Sequence, residues 1–261
     1  MKVLLRNRNL IRQLTKREIA ARYKGSYFGT LWTVLVPLFM MVVYTFVFSE
    51  IFNGRWSIES TNKAEFALII FCGMSVFNFF SDCIARAPGT IVSNPNYVKK
   101  VVFPLEILTV VNSLSALVLL LINIIILTLG LLLFTGTIPL SIIYLPLVVF
   151  PLFLLSIGLG WMLSSLGVYI RDINHFVNII ISALMFLSPI FYSLDNVPEK
   201  YRIIYRLNPL TYCVEDMRSI FIWGEQPDWL WLGVSLIVDL AIFILGYLWF
   251  KKTKRGFSDV L

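Results

Sequence analysis

Six apolar runs, separated by short polar breaks, set the pattern of this chain. They cover residues 30–52, 64–84, 105–134, 140–169, 176–194 and 229–250. At 1.5 Å per residue, about 20 residues cross the ~30 Å hydrocarbon core of a bilayer. Each run is therefore read as a membrane-spanning helix, the 30-residue third run tilted or projecting. Pro37 sits one or two turns into the first run and is expected to kink it. In the fourth, Ser156, Gly158 and Gly160 offer a small-residue face against which another helix can pack closely.

The polar breaks differ in kind. Residues 1–26 carry eight Lys or Arg and one acid, Glu18, with Leu4, Leu10, Ile11, Leu14 and Ile19 at roughly helical spacing. That pattern predicts an amphipathic helix lying along the inner membrane surface. Between runs two and three, residues 86–104 are punctuated by Pro88, Pro95 and Pro104 and predict one or two short helices. After run five, residues 199–208 and 210–223 are too short to span and hinge at Asn208-Pro209. The expected organisation is an interface helix over 1–28, a membrane domain over 29–250 and a cytoplasmic basic tail over 251–261.

Composition agrees with a bilayer setting. Of 261 residues, 58% are hydrophobic and 14% charged, with a mean hydropathy of +0.82. Soluble domains carry roughly 25% charged residues. The net charge of +7 does not form a basic stripe interleaved with exposed aromatics, so nucleic acid is not an expected partner. The charge reads as orientation instead. With the N-terminus inside, 16 of the 22 Lys and Arg fall on the cytoplasmic side, which predicts both termini inside and an even number of spans. Trp56, Trp223, Trp229 and Trp231 would then form an outer aromatic belt.

Little in the chain suggests catalysis. There is no phosphate-binding G-x-x-x-x-G-K-[ST] loop, so ATP hydrolysis is not expected here. No Cys/His cluster has metal-ligand spacing. Cys72, Cys83 and Cys213 read as small buried apolar residues, and the single histidine, His175, as structural. Glu215 and Asp216 are adjacent on a short amphipathic stretch. They are expected to form its wet face or to pair with Arg218 or Arg206. Asp82 stands near the inner end of run two, close to Arg86. Asp239 stands nearer the middle of run six, where a charge is costly. A helix-packing hydrogen bond is its expected role. Aromatic residues make up 15% of the chain, and several lie within the runs.

Taken in order, a set of short stretches resembles the permease subunit of the ABC-2 type polysaccharide exporters, the O-antigen, capsule and teichoic acid group. The stretches are Arg22-Tyr23-Lys24-Gly25-Ser26 with Gly29-Thr30-Leu31-Trp32, Tyr44-Thr45-Phe46-Val47-Phe48, Val101-Val102-Phe103-Pro104, Tyr169-Ile170-Arg171-Asp172-Ile173, Ser188-Pro189-Ile190-Phe191-Tyr192, Asn208-Pro209-Leu210-Thr211 and Gly256-Phe257-Ser258-Asp259. The resemblance implies an all-α integral membrane protein with six transmembrane helices, an N-terminal interface helix and two short re-entrant outer helices between spans five and six. It implies a homodimer, two copies of a separate ATPase subunit that carries ATP and Mg, and no cofactor in this chain. The bacterial inner membrane is the implied location, and a polysaccharide on undecaprenyl diphosphate the implied substrate. Tyr44, Phe48, Phe186, Phe191 and Tyr192 would line the polymer path. Asn208, Pro209, Glu215 and Asp216 would form the outer gate. Asn94, Pro95, Tyr97, Lys99, Arg171, Asp172 and His175 would couple to the ATPase. Arg22, Lys24 and Arg86 would meet the lipid headgroup. Among polymers, O-antigen is the first expectation, ahead of capsule or teichoic acid. A drug or lipid permease, a polyprenyl-sugar transferase and a channel are the competing readings.

Overall fold

The structure is a computed structural model and describes residues 2–22, 24–47, 63–99 and 103–261; the regular structure among them is helical. Helices α1 (Lys2–Arg6) and α2 (Arg8–Arg22) open the chain, and α3 (Trp32–Thr45) follows a 3₁₀ turn. Then come α4 (Lys63–Arg86), the short pair α5 (Gly89–Val92) and α6 (Pro95–Lys99), and α7 (Glu106–Thr135). A 3₁₀ turn leads into α8 (Leu145–Tyr169), and a tight break leads from it into α9 (Ile173–Phe186). Two short helices, α10 (Arg202–Leu207) and α11 (Pro209–Arg218), precede α12 (Trp229–Thr253) and the terminal turn α13 (Phe257–Val260).

Among the described residues, four segments are long and apolar enough to cross a membrane: Glu65–Arg86, Glu106–Thr135, Leu140–Tyr169 and Trp229–Val260. The first three match expected spans two, three and four closely, and the fourth starts where expected span six does but runs on to Val260. The other two expected spans are shorter as found. The apolar helix Gly29–Tyr44 corresponds to span one, whose outer part lies beyond the described residues. The helix of span five ends at Phe186 rather than continuing to residue 194. Its 14 residues rise about 21 Å, less than the hydrocarbon core. The cause is local: Pro189 has no N–H to donate, and the chain leaves helical geometry at Leu187.

Helix α4 is the centre of the bundle. Leu68, Ile70, Cys72 and Val76 on it are fully buried, and α3, α7, α8, α9 and α11 all pack around it. Helices α8 and α12 form the closest pair. A Cβ on Gly158 would come within 2.7 Å of the Phe243 Cα, and one on Gly246 would strike the Gly158 backbone. The small-residue face expected on α8 is thus used against α12, where dispersion between touching backbones replaces a hydrophobic drive.

Outward faces of α7 and α12 carry rows of exposed apolar side chains, among them Ile125, Leu129 and Leu133, and Ile237, Leu245 and Leu248. That is the expected surface of helices solvated by lipid. The last residues pack against the bundle. Helix α12 continues to Thr253, and Phe257 folds back to full burial against Phe250 and Tyr169. Burying a Phe contributes roughly 1.5–3 kcal/mol, enough to fix a short terminal turn.

Candidate functional site

Two constellations of polar side chains flank α4, one beside α2 at its C-terminal end and one beside α11 nearer its middle. At the first, the Arg22 Nη2 donates to the Asp82 Oδ2 at 2.6 Å, and Arg86 reaches Asp82 at 3.1 Å and Glu18 at 2.9 Å. The Ser115 hydroxyl accepts from both arginines at 3.2 Å and donates to the Asn112 carbonyl at 2.9 Å. One carboxylate therefore joins the end of the amphipathic helix to the end of α4, and α7 closes the ring. Arg22 and Arg86 are brought together here; Lys24 is exposed just beyond α2.

Below this ring lies a cavity of about 400 Å³ bounded by α2, α4, α5, α6 and α7. Asn94 and Tyr97 line it, together with Asn174 from the start of α9. Asn94 donates to the Thr90 carbonyl at 3.0 Å, Pro95 begins α6, and the Tyr97 ring stacks on Phe103 at 4.2 Å. Lys99, Arg171, Asp172 and His175 are exposed. The short helices thus present a polar, partly open surface at one end of the bundle, held by stacking and local hydrogen bonds. A rigid short element of this kind can transmit a push from a docked partner.

In the second constellation, Asn208 has three bonds. Its Oδ1 accepts from the Leu210 N–H at 3.0 Å and so caps α11, while its Nδ2 donates to the Leu187 carbonyl and to the Ser188 Oγ at 3.1 and 2.8 Å. Pro209 occupies the first helical turn, where a missing N–H costs nothing. The hinge expected at Asn208-Pro209 is therefore also a staple to the break after α9. Arg218 holds the same break from the far end of α11. It is fully buried and donates to the carbonyls of Pro189, Ile190 and Ile69 and to the Glu215 carboxylate. Gly73 on α4 leaves the room: a Cβ there would lie 3.0 Å from the Arg218 Nη2.

The wet face expected for Glu215 and Asp216 is largely inside. Glu215 pairs with Arg218 at 2.8 Å, one of the partners anticipated. Asp216 is 6% exposed and accepts from the Asp228 N–H at 3.0 Å, tying α11 to the start of α12. Burial pushes the Asp216 carboxyl up to about 6. The Arg218 charge is held inside the bundle.

The aromatic residues expected along a path are dispersed in their contacts. Tyr44 and Phe191 are partly buried against the main core, Phe186 is exposed, and Phe48 lies outside the described residues. The Tyr192 hydroxyl donates to the Phe186 carbonyl and shares a 2.7 Å hydrogen bond with the Tyr205 hydroxyl, so it links the end of α9 to α10. Asp239 differs from expectation. It is 2% exposed, yet its Oδ1 has no hydrogen-bond partner among the described residues. The small cavity beside it is lined by Val148, Pro151 and Leu152 of α8 and by Tyr212, Cys213 and Asp216 of α11. Cys72, Cys83 and Cys213 are buried free thiols. Among the described residues, no group of three or more His, Cys, Asp or Glu gathers to hold a metal.

Sequence reasoning missed the reach of Arg218, the Lys254–Glu106 ion pair at 2.8 Å and the polar side chains Asn78 and Asn123 within the spans. The last were visible as polar residues at helical spacing with Asp82 and Ser115.

The sequence is similar to those of named transport proteins over most of its length. The O-antigen export system permease protein RfbA of Klebsiella pneumoniae is 24% identical over 254 residues, 97% of this chain and 95% of that protein. RfbA of Myxococcus xanthus is 28% identical over 267 residues, covering 98% and 96%. The polysialic acid transport protein KpsM of Escherichia coli is 25% identical over 238 residues, covering 90% and 88%. The model of the ABC-2 type transporter family matches residues 9–222 of the 261. With that match covering most of the helical bundle and both polar constellations, the chain belongs to the ABC-2 type transporter family.

Proposed function

We propose that the chain is the permease subunit of an ATP-driven exporter that moves a lipid-linked polysaccharide across the bacterial inner membrane. The observation that carries this reading is the end-to-end match to permeases named for O-antigen export. O-antigen on undecaprenyl diphosphate is the preferred cargo, and capsule polysaccharide is the second reading, favoured by the matches to KpsM and to the capsule export protein CtrC.

In this reading each copy crosses the membrane six times with both termini inside, and two copies enclose the path. The exposed apolar faces of α3 and α9, with Phe39, Val42, Phe176 and Ile179, leave a surface for the second copy and for lipid. Residues 1–28 act as the interface helix, 29–250 as the membrane domain and 251–261 as the cytoplasmic end. Energy comes from two copies of a separate ATPase docking against α5, α6 and the α8–α9 break, through Asn94, Pro95, Tyr97, Lys99, Arg171, Asp172 and His175. Helices α10 and α11 serve as re-entrant outer gates, pinned at Asn208 and Arg218. Tyr44, Phe48, Phe186, Phe191 and Tyr192 border the polymer, their rings giving sugars a face to slide on. Arg22, Lys24 and Arg86 mark the inner-face entry past which the diphosphate headgroup moves.

Purification of the tagged chain from native membranes tests the assembly. The expected result is a stoichiometric partner that hydrolyses ATP and is lost when residues 92–101 are scrambled. A chain that purifies as a stable oligomer without any nucleotide-hydrolysing partner would refute the reading.

A further inference from the structure

We propose that the cavity between α3, α4 and α7, on the membrane side of the Asp82 ring, is a seat for uncharged sugar units of the cargo. The proposal rests on the polysaccharide-permease reading and adds a site to it. The cavity measures about 430 Å³ and is lined by Arg22, Trp32, Asn78, Ser81 and Asn123 among others. That volume falls in the range of about 300–1,000 Å³ usual for small-molecule sites.

Its polar groups are placed where membrane helices rarely carry them. Asn78, Ser81 and Asp82 are at i, i+3 and i+4 on α4 and share one face. On α7, Asn123 stands eight residues beyond Ser115, about 12 Å further along the helix. A ladder of amides and hydroxyls thus climbs from the ion-pair ring along the cavity wall, with Asn78 exposed and Ser81 and Asn123 half-buried. The side chains of Asn78, Ser81 and Asn123 make no hydrogen bond with any described residue. The Arg22 Nε is buried and likewise without a hydrogen-bond partner. Polar groups left unpaired at membrane depth are costly unless they face a wet or occupied cavity.

Charge selects the ligand class. The ring below contains two arginines, Arg22 and Arg86, and two carboxylates, Asp82 and Glu18, all paired with one another. Its formal charge is zero, so a phosphate gains little there. Amides and hydroxyls each offer both donor and acceptor, the complement of a sugar's hydroxyls. Trp32 adds an apolar ring, held in place by its Nε1–H donating to the Ser26 Oγ at 2.8 Å and by an edge-on contact with Phe28. The seat therefore suits the sugars next to the headgroup rather than the headgroup itself.

The test is the double variant Asn78→Leu with Asn123→Leu, produced with its ATPase partner in a host lacking its own copy. Surface polymer should fall at least tenfold, while the thermal midpoint of the purified protein holds or rises, because leucines replace unpaired amides. The pair Asn78→Ser with Asn123→Ser, which keeps donors and acceptors, should retain at least a third of export. Wild-type export by the leucine variant would overturn the seat. So would a fallen midpoint or a lost oligomer, since the amides would then be packing contacts. A wild-type chain that exports no polymer refutes the permease reading, and the seat with it.

Discussion

The Arg218 Nη1 donates to the Pro189 carbonyl at 2.6 Å, across 29 residues of chain. Pro189 breaks the end of α9 and frees carbonyls that no helix can satisfy, and a fully buried guanidinium collects them. Replacing Arg218 with Ala leaves those carbonyls and Glu215 unpaired. We expect a loss of about 3–5 kcal/mol, the usual cost of breaking a buried ion pair from one side. Arg218→Lys should rescue little, because an ammonium lacks the planar fork. Thermal unfolding in detergent checks both; near wild-type stability for the Ala variant would contradict the clamp.

The ring around Asp82 is a coupled unit. Arg22→Ala and Asp82→Ala should not add. A double-mutant cycle on stability should return a coupling of about 0.5–3 kcal/mol, as for residues in one network. The two side chains are 18% and 26% exposed, so solvent screening holds the value toward the lower end. Additive effects would mean that Asp82 does not fasten α2 to α4.

Asp239 should be dispensable for stability. Its Oδ1 is buried without a hydrogen-bond partner among the described residues, so Asp239→Leu removes a desolvated polar group at no loss of a bond. The variant is expected to match or exceed the wild type in thermal midpoint. A marked fall would show that the carboxylate is bonded in the membrane-embedded protein.

Asp216 gives stability a pH signature. The folded state keeps its proton up to about pH 6, whereas the free carboxyl loses it near 3.8. Within that window the folded protein binds more protons than the unfolded chain, so Asp216's contribution falls as pH rises and is constant above it. The thermal midpoint of the wild type relative to Asp216→Asn should therefore be higher at pH 4.5 than at pH 7. A gap moving the opposite way would contradict the burial of this carboxyl.

Much of this architecture could be read from apolar runs bounded by polar residues. The runs at 64–84 and 105–134 became α4 and α7 with ends displaced by a residue or two, because a membrane helix must satisfy its own backbone. Asn208-Pro209 was legible as the hinge between two short stretches, a purely local signal, whereas its cap on α11 and its bonds to Leu187 and Ser188 were not. Arg218 was not, since a short amphipathic helix with Glu215, Asp216 and Arg218 reads as solvated until the freed carbonyls of Pro189 and Ile190 are placed beside it. The early end of α9 had its signal in Ser188-Pro189, which apolar length outweighed. Phe257 illustrates the limit of composition: four basic neighbours hide one side chain that docks in the core.

The most direct measurement is to deplete the chain in its host and follow newly made polysaccharide. Export by this protein predicts that lipid-linked polymer accumulates on the cytoplasmic face while surface polymer declines, and that resupplying the chain reverses both. Polymer reaching the surface at an undiminished rate during depletion would contradict the account.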